Sequence, residues 1–170
     1  LCTEAGELLD ALKKELIYGK PRDKQNILEE IGDLCWYCAL YADSCGAELS
    51  LLTNKEYPLS SVTLKVGAEL NWAAAGLLTD TLRHKQTSSV EATSRIMCIW
   101  TDLRALVREF DLDMTNVFEA NIRKLEARYK GGKFSTEAAL NRNLVAELAA
   151  LTGTEAPFSD EPTDVEGQKS

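Results

Sequence analysis

Leu28-Glu29-Glu30-Ile31-Gly32-Asp33-Leu34-Cys35-Trp36-Tyr37-Cys38-Ala39-Leu40 is the stretch on which the fold turns. From Leu34 onward it reads as a buried helix, apolar on nearly every side. Three carboxylates, Glu29, Glu30 and Asp33, stand at its entrance. A packed core rejects such groups unless something neutralises them. A second acidic pair, Glu4 and Glu7, lies upstream in Thr3-Glu4-Ala5-Gly6-Glu7-Leu8-Leu9. A divalent cation between the two motifs answers both.

Outward from this stretch the chain reads as helix after helix. Leu8, Leu9, Leu12, Leu16 and Ile17 form a helical stripe over about Thr3 to Tyr18, closed by Gly19 and Pro21. The opening stretch belongs to a second helix, capped between Asp23 and Asn26 and ending near Cys45-Gly46. Its core face is Ile27, Ile31, Leu34, Cys38 and Tyr41. Residues 47–61 read as loop. A third helix is expected over Val62 to His84, with Leu64, Leu70, Ala74, Leu77, Leu78 and Leu82 apolar. Ser88-x-x-Glu91 is a capping-box pattern opening a fourth helix to about Phe110. A fifth runs from Met114 to Tyr129 with Asp113 as cap. After Lys130-Gly131-Gly132-Lys133, Ser135 or Thr136 opens a sixth helix to about Leu151. No strand pattern competes, so the fold class is all-α: an antiparallel bundle of about six helices over residues 1–151. The acidic remainder, 152–170, is expected to be disordered.

Val66-Gly67-Ala68-Glu69-Leu70 echoes Glu4-Ala5-Gly6-Glu7-Leu8, and each is followed by a helix, a break and another helix. This suggests a pseudo-repeat of 1–50 and 62–130, the second copy lacking both acidic pairs.

The formal charge is -8 over 170 residues. Much of the excess sits in the tail, where Glu155, Asp160, Glu161, Asp164 and Glu166 face Lys169. No basic stripe exists for a nucleic-acid polymer. No apolar run reaches the roughly 18 residues of a membrane span. The five cysteines, odd in number and mostly within apolar helical sequence, read as reduced thiols in a cytoplasmic protein. Cys35 and Cys38 read as core packing, and His84 as a surface residue. With no initiator Met and Leu1 almost on the first motif, a preceding natural segment is expected.

Glu4 and Glu7, like Glu30 and Asp33, are three residues apart and share a helix face. Two neighbouring helices can bring the pairs opposite each other. Four carboxylates without His or Cys suit Mg²⁺, with Mn²⁺ as substitute. Magnesium with open positions takes phosphate oxygens and can position a water for attack on phosphorus. Glu30 and Glu7 are the candidate catalytic carboxylates. Lys14, Lys124 and Arg128 can neutralise a polyphosphate, and Tyr37 shares the face of Glu30 and Asp33. Asn121, Lys124 and Arg128 recur on one face of the fifth helix.

The two acidic motifs, together with Leu34-Cys35-Trp36-Tyr37, resemble the all-α MazG-like nucleotide pyrophosphohydrolases, relatives of dimeric dUTPases and phosphoribosyl-ATP pyrophosphohydrolases. Asn121 to Tyr129, Gly132-Lys133-Phe134-Ser135 and Ala138-Ala139-Leu140-Asn141-Arg142 are similar to the C-terminal part of phage and bacterial members. The resemblance implies Glu4, Glu7, Glu30 and Asp33 as Mg²⁺ ligands. It also implies hydrolysis of a nucleoside triphosphate, a dNTP first among them, to monophosphate and pyrophosphate. Asn121, Lys124 and Tyr129 would contact the nucleotide, and the chain would assemble as a homodimer or homotetramer. The family ordinarily has a helix before the first motif, and short relatives lack the roughly sixty residues that here precede the Asn121 helix. The alternative is a non-catalytic helical interaction module with a vestigial metal site.

Overall fold

The computed structural model describes residues 1–49, 63–84 and 90–154, and within them every regular element is helical. Seven helices follow in order: α1 (Cys2–Leu16), α2 (Lys24–Cys45), α3 (Thr63–His84), α4 (Val90–Glu109), α5 (Met114–Arg128), α6 (Thr136–Leu140) and α7 (Leu144–Thr152). The all-α expectation therefore holds. None of the described helices is long and apolar enough to cross a membrane. The chain divides into two compact units, Leu1–Ile122 and Arg123–Ser170.

In the first unit α1 packs on α2 and α3, and α4 packs on α2 and α3. Small and medium apolar side chains make the core. Leu8 and Leu12 of α1, Ile31, Leu34 and Cys38 of α2, Leu70 of α3, and Ile96, Ile99 and Leu103 of α4 have no accessible surface. The stacked rings of Trp100 and Phe118, 5.9 Å between centroids, tie α5 to α4. Local signals set the helix ends. Asp23 caps α2 by accepting a hydrogen bond from the Asn26 N–H at 3.0 Å, and Gly46 closes it with φ 66°, a conformation glycine adopts without steric cost. The carboxylate of Asp113 accepts from the Thr115 N–H at 2.8 Å at the start of α5.

Two expectations are corrected, and others fall outside the described residues. The helix carrying the opening stretch is not buried all round. It presents Ile27, Ile31, Leu34, Cys35 and Cys38 to the core but leaves Trp36, Tyr37 and Leu40 over 40% exposed. Among the described residues α1 and α4 pack against α2, and they cover the face that carries these buried positions. The expected sixth helix is two. Asn141 ends α6, and the Asn143 side chain accepts from the Ala146 N–H at 3.0 Å to cap α7, so the chain starts a new helix. The Ser88 cap, most of the 47–61 loop, the side chain of His84 and the acidic tail beyond Thr154 lie outside the described residues.

The second unit holds the end of α5 with α6 and α7. Glu147 of α7, only 3% exposed, accepts from Arg128 at 2.6 Å and from Arg142 at 2.6 Å. Burial would raise this carboxylate, but the two guanidinium groups hold it below the usual range. Arg123 donates to the Ala150 carbonyl at 3.1 Å.

Candidate metal centre

Helical spacing places Glu4 on α1, and Glu30 and Asp33 on α2, along the seam between the two helices. One oxygen from each of these three carboxylates lies within 4.8 Å of the others. Glu30 is nearly buried, at 7% exposure, and its Oε2 has no hydrogen-bond partner. A buried carboxylate oxygen left without a donor costs on the order of 1–3 kcal/mol, more if charged. Burial first, then the neighbouring charges of Glu7, Glu29, Asp33 and Glu4, push the Glu30 carboxyl up to about 8. Glu4 is raised in the same direction, by burial and then by Asp33 and Glu7. Such mutual repulsion persists in a fold only where a proton or a cation relieves it.

The donor set is all carboxylate, with no nitrogen or sulfur among the three, which is the chemistry of a hard divalent cation. The Glu30 oxygen that lacks a donor fits this role. Asp33 is held by Asn121, whose side-chain N–H donates to Asp33 Oδ1 at 2.7 Å. That approach depends on Gly32. A Cβ built there would lie 3.1 Å from both Cβ and Nδ2 of Asn121.

Beside the three carboxylates is a cleft of about 380 Å³ lined by Thr3, Gly6, Glu7, Asp10, Lys14, Asn26 and Glu30. Glu7 is exposed on its wall and is not one of the three close-set carboxylates. Lys14 also lines the cleft and is paired with Asp10 at 2.9 Å. Lys14 and Lys13 together hold the Asp10 carboxyl down at about 2.

The segment that carries this geometry has a recognisable sequence. Residues 1–54 match the family model of the MazG nucleotide pyrophosphohydrolase domain. This N-terminal segment is MazG-like. Comparison with curated proteins and with solved structures returned no match. The MazG-like segment contains α1, α2 and all four acidic candidates.

The other candidates are more scattered. Tyr37 lies one helical turn beyond Asp33 and is 41% exposed. Asn121 is buried and engaged with Asp33. Lys124, Arg128 and Tyr129 belong to the second unit. There Lys124 is buried, Arg128 is paired with Glu147, and the Tyr129 ring lies 5.5 Å from that of Phe134. Cys35 and Cys38 are buried free thiols, as expected of packing residues. Burial raises both above the usual thiol range, Cys38 to about 12.

Sequence reasoning missed Gly32, and it named Asn121 as a nucleotide contact rather than as a partner of Asp33. Gly32 falls between Glu30 and Asp33, and a glycine inside a helix next to two acids was the available signal. The bond from Asn121 to Asp33 had no signal, since it joins residues 88 apart.

Proposed function

We propose that the chain hydrolyses a nucleoside triphosphate, a deoxynucleoside triphosphate first among them, to the monophosphate and pyrophosphate, with Mg²⁺ as cofactor and Mn²⁺ as a substitute. The observation that carries this reading is the meeting of Glu4, Glu30 and Asp33, with an unpartnered buried Glu30 oxygen, inside the segment that matches the MazG domain.

Glu4, Glu30 and Asp33 would hold the cation, and Glu7 borders the same cleft as a further ligand. Bound there, the cation would supply positive charge to the phosphate oxygens and lower the pKa of a coordinated water. The chain's own groups do the rest. Glu30 or Glu7 accepts a proton from the attacking water. Asn121 fixes the rotamer of Asp33. Lys14 can leave Asp10 for a phosphate oxygen, because an ion pair this exposed is weak. Tyr37 sits on the Asp33 side of α2, where a sugar or base can pack on its ring. Lys124, Arg128 and Tyr129 are proposed as nucleotide contacts on the strength of the sequence resemblance, and assembly into a homodimer or homotetramer rests on the same ground.

The test is pyrophosphate release from a panel of nucleoside triphosphates in Mg²⁺. Glu30→Gln should lower the rate by about 100-fold or more. No release by the intact chain, or an unchanged rate in Glu30→Gln, refutes the proposal.

A further inference from the structure

The α3–α4 pair repeats the burial register of α1–α2. The buried positions Ala5, Leu8, Ala11 and Leu12 of α1 correspond, at one constant spacing, to Gly67, Leu70, Ala73 and Ala74 of α3, all buried. Ile27, Ile31, Leu34, Cys35, Cys38 and Ala42 of α2 correspond at a second constant spacing to Ala92, Ile96, Ile99, Trp100, Leu103 and Val107 of α4, again all buried. Helical periodicity alone can produce such agreement. The contacts between the pairs go further.

Two copies related by a two-fold axis exchange contacts, so that if one residue touches a second, their counterparts touch in reverse. Leu9 of α1 lies against Gly67 of α3, the position of a Cβ there being 3.3 Å from Leu9 Cδ1. In the same register Leu9 corresponds to Asn71, and Gly67 to Ala5. The Asn71 side chain donates to the Ala5 carbonyl. The helix packing obeys the same exchange, with α1 on α3 and α2 on α4.

The register also says what replaced the acidic site. Glu4 corresponds to Val66, Glu30 to Arg95 and Asp33 to Cys98, while Glu7 alone of the four keeps a carboxylate counterpart, Glu69. The cleft positions Asp10 and Lys14 correspond to Trp72 and Gly76. Arg95 lies against both of these positions. Its guanidinium lies 5.5 Å from the centre of the Trp72 ring and donates through Nε to Asp80 at 2.7 Å. It passes over Gly76, where a Cβ would collide with the guanidinium. A cationic side chain thus occupies the place where the first half gathers carboxylates.

We propose that α3–α4 is a second copy of the α1–α2 hairpin in which the guanidinium of Arg95, packed on Trp72 and Gly76, stands in place of the cation site, so that the chain binds divalent cation in its first half alone. This rests on the metal reading proposed above. It adds that the partner hairpin needed to bury the α1–α2 core is supplied by the same chain, and that this partner is silent toward cations.

The test is Mn²⁺ binding by the full chain, followed by electron paramagnetic resonance. The wild-type chain should show saturable binding that Glu30→Gln weakens by about 100-fold or more, leaving no second tight class. A tight class that survives Glu30→Gln overturns this inference and leaves the metal reading intact. No binding by the wild-type chain overturns both. In the Glu30→Gln background, Val66→Glu, Arg95→Glu and Cys98→Asp together should restore saturable Mn²⁺ binding. A variant that keeps its helical circular dichroism but binds no Mn²⁺ counts against the correspondence. Should it fail to fold, the Glu30→Gln measurement decides alone.

Discussion

Raising the pH from 5 to 8 should weaken the metal-free protein, and Glu30 should be the cause. Its carboxyl sits near 8 in the folded chain against an ordinary 4.5. Below 4.5 the group carries a proton both folded and unfolded, and pH has no leverage through it. Between 4.5 and about 8 the unfolded chain gives up that proton while the folded chain keeps it, so each unit of pH favours unfolding. One pK unit corresponds to about 1.4 kcal/mol. The whole window then corresponds to at most about 5 kcal/mol, and water reaching the cleft side of Glu30 reduces this to about 2–3 kcal/mol. Urea denaturation in a chelator at several pH values, on the wild-type chain and on Glu30→Gln, measures it. The glutamine variant should lose most of the slope and be the more stable of the two at pH 8. Saturating Mn²⁺ should abolish the wild-type slope, because the cation takes the proton's place. Equal slopes in both proteins, or a wild-type stability that rises over this range, would refute the account of Glu30 as a buried, repelled carboxylate.

Other consequences follow from named contacts. Asn121→Ala removes the side-chain N–H that donates to Asp33 and should weaken Mn²⁺ binding by about 10–100-fold, read by titration, with the helix content unchanged. Leu12→Ala removes a fully buried side chain at the meeting of α1 and α3 and should cost about 2–5 kcal/mol in urea denaturation. Native thiol labelling should modify Cys98 first, with Cys35 and Cys38 protected until the chain unfolds.

Much of the fold is legible because its punctuation is local. Asp23, Gly46 and Asp113 each act within a few residues, and those helix ends fall where the sequence puts them. The break at Asn141–Asn143 is not legible in the same way. Leu144 to Leu151 continues an apolar pattern, and only the side chain of Asn143, turned back onto the Ala146 N–H, decides that a new helix starts. The exposed side of α2 was hidden for another reason. A run from Leu34 to Leu40 with apolar residues on every side carries no amphipathic contrast, so neighbouring helices alone determine which face is covered. Three of the four acids meet as helical spacing and hairpin packing imply. The placing of Glu7 on the cleft wall depends on the rotation of α1, which packs on both α2 and α3.

Gly32 sets the preference of a helix against the needs of a site. At an interior helical position alanine is favoured over glycine by about 1 kcal/mol. Taken as an isolated segment, α2 would gain from the exchange. Yet the added methyl would press on Asn121 at 3.1 Å, and Asn121 would have to move by a few tenths of an ångström, against a bond to Asp33 that is only 2.7 Å long. The position is therefore one of local frustration, where the sequence best for the element differs from the sequence best for the chemistry. Selection for stability alone would draw this residue towards alanine, and the loss would register first in the orientation of Asp33.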